Sequence, residues 1–191
     1  MYLVIDTETT GLPRDWKAPH TRVDNWPRVV QLAFLHYDTT GALIEEYAQL
    51  VQPDGFVIPP DATRVHGITT ERARTDGVPL ADVLAALEGA VARARVLVAH
   101  NLDFDAKVLR AEYLRTDIAT RISSLTPVCT MLASTDYCRL PGKYGFKWPS
   151  LQELHGRLFD SAVIAGHDAL VDAQACARCF FELKQRGVVV A

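Results

Sequence analysis

The chain has 191 residues and is 49% hydrophobic, which is enough apolar material for one domain with one substantial core. Its formal net charge of −3 provides no overall positive field, so a nucleic-acid partner would have to be held by local features. No apolar run approaches the roughly 20 residues that cross a bilayer, and the N-terminus lacks a secretory signal pattern, so we expect a cytoplasmic protein that does not bind membranes.

The first part of the chain predicts three strands. Residues 2–6 form a short apolar run that is typical of a buried strand. Residues 29–37 and 43–51, separated by the turn sequence Thr39-Thr40-Gly41, predict a hairpin of two longer strands.

Beyond residue 59 the pattern alternates between helices and short strands. Apolar residues at helical spacing and capping signals indicate the helices, and compact apolar runs indicate the strands. The predicted helices are a short one ending near residue 66 and those at 69–74, 79–94, 103–114, 150–158 and 167–185; the predicted strands are at 96–99 and 129–132. Antiparallel strands followed by alternating strands and helices predict an α/β domain with a mixed sheet. The pair Cys176 and Cys179 falls inside the last helical pattern, which disfavours a metal or redox role.

Two carboxylates lie at the end of the first predicted strand: Asp6 is its last residue, and Glu8 comes two positions later. Alternate side chains of a strand share a face, so these two groups converge on one point. Carboxyl groups held close together resist ionising at the same time, and a bound divalent cation removes that cost. A strand that simply ends in solvent is the alternative explanation for an isolated pair of this kind.

Further acids and a histidine occur at two predicted helix starts. Asp103 and Asp105 follow the fourth predicted strand, where α/β folds collect ligands, and spacing alone leaves open which of the two is a ligand. His167 and Asp172 are five positions apart, about 140° around a continuous helix, so they can meet only if His167 lies at or before the helix start. Gly166 provides backbone freedom there, and a histidine in that place suits proton transfer. A capping or surface histidine is the alternative.

Three motifs in this sequence resemble one known family. VIDTETTGL, HNLDFD and HDALVD, in this order and at these separations, resemble the three exonuclease motifs of the DEDDh 3′→5′ exonucleases. That group includes the proofreading subunit of bacterial replicative DNA polymerase, and its fold is ribonuclease-H-like. The resemblance extends from Leu3 to about Phe181 and includes HGIT at residues 66–69, which in the family lies beside the bound nucleotide. It implies a ribonuclease-H-like mixed five-stranded sheet flanked by helices, in a single domain over residues 1–191.

The resemblance also implies the roles of particular residues. Two divalent cations, Mg²⁺ or Mn²⁺, would be held by four acids, and His167 would be the general base. The four acids are Asp6, Glu8, Asp105 and Asp172. Asp105 is favoured over Asp103 because the acid of the family directly follows a phenylalanine. Ligation by oxygen alone favours Mg²⁺ or Mn²⁺ over zinc or copper.

The terminal nucleotide would be contacted by residues near all three motifs, although each of them has an equally good explanation as a turn or core residue. The implied substrate-binding residues are Thr9, Thr10, Gly11, Leu12, His66, Asn101 and Phe104. The implied activity is hydrolysis from the 3′ end of single-stranded DNA with release of 5′-mononucleotides. A 3′→5′ exoribonuclease is the nearest alternative, and a non-catalytic module that binds nucleic acid or a polymerase is a more distant one. A DNA polymerase is a candidate partner.

Two stretches of the chain interleave aromatic and basic residues. An inserted loop at about residues 13–28 carries two tryptophans, and residues 138–150 alternate aromatic with basic side chains. The residues in question are Arg14, Trp16, Lys17, Arg22, Trp26 and Arg28 in the first stretch and Arg139, Lys143, Tyr144, Phe146, Lys147 and Trp148 in the second. Stacking aromatics and cations are what a single-strand groove requires, so we hypothesise that both stretches bind the strand upstream of the cleaved end. The alternative for residues 13–28 is a proline-stiffened loop that its tryptophans anchor to the domain.

Overall fold

The computed structural model describes residues 1–160 and 166–190, which are built around a mixed sheet with strand order β3-β2-β1-β4-β5. β1 is antiparallel to β2, and β2 is antiparallel to β3, whereas β1, β4 and β5 run parallel. A separate two-stranded hairpin consists of β6 and β7. The strands are β1 (Tyr2–Thr9), β2 (Val29–Tyr37), β3 (Leu43–Leu50), β4 (Val96–Ala99), β5 (Thr126–Cys129), β6 (Pro141–Gly142) and β7 (Gly145–Phe146). The predicted mixed five-stranded sheet is confirmed.

Helices connect and cover the strands, and within residues 1–160 and 166–190 none is long and apolar enough to cross a membrane. The helices are α1 (Pro60–His66), α2 (Thr70–Asp76), α3 (Leu80–Val91), α4 (Leu102–Arg115), α5 (Thr130–Ala133), α6 (Thr135–Cys138), α7 (Leu151–Phe159) and α8 (Ala169–Gln185), with short 3₁₀ turns at Val23–Asn25 and Ile122–Ser124. Ser150 and Glu153 form the capping box that the sequence predicts at the start of α7.

The sheet is covered on both faces because alternate residues of its central strands are apolar on each side. Leu3 and Ile5 of β1 pack on one face with α3 and α4. Tyr2 and Val4 pack on the other face with α7 and α8. A third, smaller cluster forms around Val30 with α1 and α2. This is the α/β/α layering expected of a sheet whose inner strands are hydrophobic on both sides.

The pairing of β1 with β2 contains one irregularity beside the predicted acids. Glu8 pairs with Gln31, but Thr9 pairs with Val29, so Val30 is an extra residue in β2. Such a bulge changes the direction in which the following side chains point. It occurs at the end of β1, where the alternation of side chains between the two faces of the sheet ends.

Three predicted boundaries are corrected by the structure. β1 continues to Thr9, so Glu8 lies inside the strand instead of after it. The predicted strand at 129–132 is wrong: β5 is Thr126–Cys129, and a helical turn follows. Among the strands of the described ranges, β5 pairs only with β4, and its Thr126 and Pro127 are exposed, so this edge strand lacks the apolar signal that marks buried strands. The last helix begins at Ala169 instead of residue 167.

The C-terminal end of the inserted loop is fixed to α4 by a buried ion pair. The carboxylate of Glu112 is inaccessible to solvent and accepts hydrogen bonds from Arg28 Nε and from the Val29 amide, each at 2.9 Å. Arg115 Nη2 donates to the Trp26 carbonyl at 2.7 Å. The Trp26 ring is only 3% exposed. Trp26 and Arg28 therefore anchor the loop and are not free to contact a nucleic acid.

Replacing Glu112 with Ala is expected to lower the free energy of unfolding by about 3 kcal/mol, because it removes the carboxylate that pairs with Arg28, with Arg115 Nη1 at 3.2 Å and with the Val29 amide. Urea denaturation measures the change. Asp61→Asn, which removes an exposed ion pair with Arg64, is the control and should change stability far less. Equal effects of the two substitutions would contradict this account of the anchor.

Candidate metal centre

Four carboxyl groups from three separate segments meet at the carboxyl end of β1. The charges of Asp105, Asp172 and Glu8 all act on Asp6. Possible ligand atoms of Glu8, His167 and Asp172 lie within 4.8 Å of one another. The acids that the family resemblance pointed to are therefore neighbours in the folded chain, although they are up to 166 positions apart in the sequence, from Asp6 to Asp172.

Burial and mutual repulsion both disfavour ionisation of these acids. Burial is the larger cause of the raised pKa of Asp6, and the nearby carboxylates add to it. The same two causes raise the pKa of Glu8 to about 8. Burial raises the pKa of Asp105 to about 7 and also raises that of Asp172. A set of hard oxygen donors that resists ionisation without a counter-charge fits a divalent cation.

Asp105 is held toward the site, whereas Asp103 is not. Thr7 Oγ1 donates a hydrogen bond of 2.7 Å to Asp105 Oδ1, and both residues are buried. Asp103 is exposed and forms an ion pair with Lys107 at 2.7 Å. Thr7 belongs to β1 but points to the face opposite Asp6, so it supports the acid that arrives from α4.

His167 lies before the last helix, as its spacing from Asp172 requires. Its backbone is left-handed with φ 74°, and its amide donates to Asp172 Oδ2 at 2.9 Å. Gly166 allows a close approach here, since a Cβ on it would lie 3.2 Å from Gln152 Nε2. His167 is solvent-exposed while its ring faces Glu8 and Asp172. Such a group can exchange protons with both the site and solvent.

Two further residues, which the sequence analysis did not identify, connect the last helix to the sheet. Gln31 pairs with Glu8 across β1 and β2. Its side-chain amide donates to Asp168 Oδ2 at 3.2 Å and accepts from the Ala169 amide at 3.1 Å. Asp168 Oδ1 in turn caps α8 by accepting from the Leu170 amide at 3.0 Å. An aspartate before a helix is a recognisable capping signal, but the role of Gln31 depends on strand register and has no signal in the sequence.

The predicted substrate-binding residues after β1 form a tight turn. Thr9 Oγ1 donates to the Gly11 carbonyl at 2.7 Å, and Thr10 Oγ1 accepts from the Arg28 amide at 2.9 Å. Gly11 has φ 140°, which favours glycine. Leu12 is 72% exposed. The turn is thus fixed by one internal hydrogen bond and by one from the Arg28 amide, and it presents an apolar side chain to solvent.

The other predicted contacts occupy different surroundings. His66 is buried, and its Nδ1 accepts from the Ile68 amide at 3.1 Å. Burial lowers its pKa, the nearby Thr9 backbone opposes this, and the nearby His167 lowers the pKa further. These contacts bring the HGIT stretch to the first and third motifs. Asn101 adopts a left-handed conformation with φ 70° where β4 turns into α4. The half-buried Phe104 lies against Trp16, with ring centroids 5.7 Å apart.

Residues 3–180 match the Exonuclease family, RNase_T. The chain belongs to this exonuclease family. The resemblance to the DEDDh exonucleases is confirmed by this match, which covers all three motifs, and divalent-metal dependence is typical of the family.

Several known proteins are similar to this chain over more than half of its length. A putative bifunctional exonuclease/endonuclease protein of Mycobacterium tuberculosis is 34% identical over 97% of this chain and 26% of its own length. The DNA polymerase III subunit epsilon of Treponema pallidum is 30% identical over 58% of this chain and 45% of its own length. Exonuclease I of E. coli, solved with a dT13 oligonucleotide, has a TM-score of 0.76 at 20% identity over 97% of this chain and 41% of that one. The chain thus spans about a quarter of the first relative and under half of the other two.

Without metal, the stability of this exonuclease domain is expected to fall as the pH rises from about 6.5 to 8. The folded state keeps protons on Glu8 and Asp105, with pKa values of about 8 and 7, while in the unfolded chain they titrate near 4.5 and 3.8. Over this pH range the folded state therefore binds more protons, and raising the pH favours unfolding. His100, with its pKa lowered to about 4, has the opposite effect, but only below pH 6.5.

Urea denaturation in the presence of a chelator measures this pH dependence. Addition of Mg²⁺ at pH 8 should raise the midpoint, because the cation binds only the folded arrangement of acids. The substitution Glu8→Gln should flatten the pH profile by removing one titrating group. A stability that stays constant or rises between pH 6.5 and 8 in the unsubstituted protein would refute the electrostatic account of the site.

Proposed function

We propose that this chain is a metal-dependent 3′→5′ exonuclease domain that hydrolyses phosphodiester bonds from the 3′ end of single-stranded DNA and releases 5′-mononucleotides. The observation that carries the proposal is the convergence of four mutually repelling carboxyl groups, two buried and two half-buried, with the ring of His167. A module that only binds nucleic acid gains nothing from such a cluster, which repels phosphate when no cation is present.

Two divalent cations, Mg²⁺ or Mn²⁺, would be held by the four acids. The residues are Asp6, Glu8, Asp105 and Asp172. When bound, the cations would neutralise charge on the phosphate and on the departing 3′ oxygen. The ligand set consists of carboxylate oxygens, which favour these hard cations.

His167 acts as the general base in this proposal. Its ring can take the proton of the attacking water on the side of Glu8 and Asp172 and release it on the exposed side. The hydrogen bond from its own amide to Asp172 fixes the backbone that carries the ring. Water activation and ion binding are therefore coupled through one short segment at the start of α8.

The terminal nucleotide binds between the turn after β1 and the start of α4. The residues proposed to contact it are Thr9, Thr10, Gly11, Leu12, His66, Asn101 and Phe104. The buried contact of His66 with Thr9 and the exposed apolar surface of Leu12 support this arrangement. A free 3′ terminus can enter such a pocket one nucleotide at a time.

Single-stranded DNA is the proposed substrate, in preference to RNA. The E. coli exonuclease I structure that shares this fold contains an oligodeoxynucleotide, and the epsilon subunit relative belongs to a DNA polymerase. The same relative makes a DNA polymerase the candidate protein partner, and we place the activity in the cytoplasm. The partner can be tested by pull-down with purified polymerase subunits.

Matched DNA and RNA oligonucleotides labelled at the 5′ end provide the test of the proposed reaction. With Mg²⁺ or Mn²⁺ the labelled strand should shorten stepwise from its 3′ end, and the released mononucleotides should carry a 5′ phosphate. The DNA oligonucleotide should be degraded faster than the RNA oligonucleotide. Faster degradation of RNA would assign the domain to exoribonucleases. Absence of hydrolysis with either metal would refute the function.

Neighbouring aspartates supply a matched pair of variants. Asp105→Asn should abolish most activity, whereas Asp103→Asn should retain it, because only Asp105 is directed into the site. Similar rates for the two Asp→Asn variants would contradict the assignment of Asp105.

His167→Ala should lower kcat by about 100-fold or more with little change in KM, the size of effect expected for loss of a general base.

The pairing of Gln31 with Asp168 is proposed to position the start of α8 relative to Glu8. Gln31→Glu should lower kcat by roughly 10-fold, because two carboxylates would then face each other where an amide now donates. Adding Asp168→Asn reverses the polarity of the pair, restores a donor opposite an acceptor, and should recover most of the lost kcat with KM unchanged. A double variant no more active than Gln31→Glu alone would show that this contact does not position the helix.

A further inference from the structure

The hairpin of β6 and β7 with its flanking residues, 139–149, presents an unusual concentration of exposed aromatic side chains. Tyr144 is 91% exposed, Trp148 is 63% exposed and Phe146 is 49% exposed. Large apolar groups clustered on a surface mark a binding site more often than a chance exposure. We name residues 139–149 the aromatic hairpin.

The aromatic hairpin has a defined backbone in spite of its exposure. Pro141 pairs with Phe146 and Gly142 with Gly145, and the Lys147 amide donates to the Leu140 carbonyl at 3.0 Å. A Cβ on Gly142 would lie only 2.9 Å from the Lys147 amide nitrogen, so glycine permits this close pairing. Its side chains are therefore displayed on a preformed support, which lowers the entropic cost of binding a partner.

His100 connects the aromatic hairpin to the metal centre. Its Nε2 lies 3.0 Å from the Pro149 carbonyl, and its Nδ1 lies 3.0 Å from Thr130 Oγ1. Burial lowers the pKa of His100 to about 4, so the ring is neutral, its Nε2 proton is donated to the carbonyl, and Nδ1 accepts from the Thr130 hydroxyl. His100 directly follows β4 and precedes the helix that carries Asp105. The hairpin is thus fixed at the same end of the sheet as the acids.

The charge of the aromatic hairpin indicates the chemistry of its partner. Residues 139–149 contain three basic residues and no acidic residue, in a chain whose net charge is −3. Lys147 is 2.6 Å from Glu153 of α7, and Lys143 lies over the Tyr144 ring with its Nζ 5.1 Å from the centroid. Aromatic faces with interspersed cations match unpaired bases and their phosphates, which is the combination found in single-strand binding grooves.

The inserted loop after the first motif has a different character. Trp26 is buried, and its Nε1 donates to the Pro19 carbonyl at 3.1 Å. Trp16 is partly covered by Phe104. The two stretches have similar compositions but differ in how far their aromatic rings are exposed to solvent. The rings of the aromatic hairpin offer the larger exposed surface.

We propose that the aromatic hairpin binds unpaired nucleotides upstream of the cleaved bond, with bases stacked on its aromatic rings and phosphates near its basic residues. This inference rests on the proposed exonuclease function and extends it to the track followed by the strand. The hairpin would hold the substrate between cleavage steps, so its contribution increases with the length of the strand.

The test compares a dinucleotide with a DNA oligonucleotide of about 12 nucleotides as substrates for the triple variant Tyr144→Ala, Phe146→Ala and Trp148→Ala. Stacking is worth roughly 1–3 kcal/mol per base, so KM for the longer strand should rise about 10-fold or more, while kcat and KM for the dinucleotide should stay within about 2-fold. The double variant Leu43→Ala and Ile44→Ala, which removes two exposed apolar residues from β3, is the control and should leave both substrates unaffected.

An unchanged KM for the longer strand would overturn the proposal and would assign the exposed rings to another partner, such as a protein. Equal losses on both substrates would also overturn it, because the hairpin would then act on the site itself. A binding measurement separates this proposal from the proposed reaction. In an Asp105→Asn background that also carries Trp16→Phe, an oligothymidylate should quench the fluorescence of Trp148, whether or not the unsubstituted protein hydrolyses DNA.

Discussion

Repulsion among four carboxyl groups, two buried and two half-buried, is the constraint on which the rest of the site depends. Burial is the largest cause of the raised pKa of Asp6 and Glu8, and the charge of each neighbouring carboxylate raises it further. A chain can keep such a cluster only if the surrounding fold supplies enough stability to tolerate it. The central position of β1, with apolar layers on both faces, supplies that stability next to the point where the repulsion occurs.

Among the described residues, neutral hydrogen-bond donors orient two of the four acids. A threonine hydroxyl holds Asp105, and a backbone amide holds Asp172. A lysine or arginine in either place would compensate the acids permanently and compete with a cation for them. Neutral donors fix the geometry while leaving the negative charge available. Arg28, just before β2, is paired with Glu112 on the α4 side of the sheet.

The sequence was sufficient for the parts of the structure that depend on local pattern. The three motifs, the alternation that places Asp6 and Glu8 together, and the position of His167 before the helix follow from spacing and resemblance. The support of the site could not be predicted in this way. Gln31 faces Asp168 only because of the register between β1 and β2, and Thr7 reaches Asp105 only because α4 packs on its side of the sheet. Composition also could not distinguish the buried Trp26 from exposed tryptophans.

The extra residue in β2 separates two requirements that would otherwise conflict. Gln31 keeps the register that faces α8, while Val29, beyond the bulge, turns its amide to Glu112 on the α4 side. The segment before Val29 is therefore attached at two points that adjoin the acids: Glu112 lies on the helix that carries Asp105, and the Arg28 amide is bonded to Thr10 in the turn after Glu8. A change in the length of the inserted loop would load both attachments, so the geometry of the acids limits how far this loop can vary.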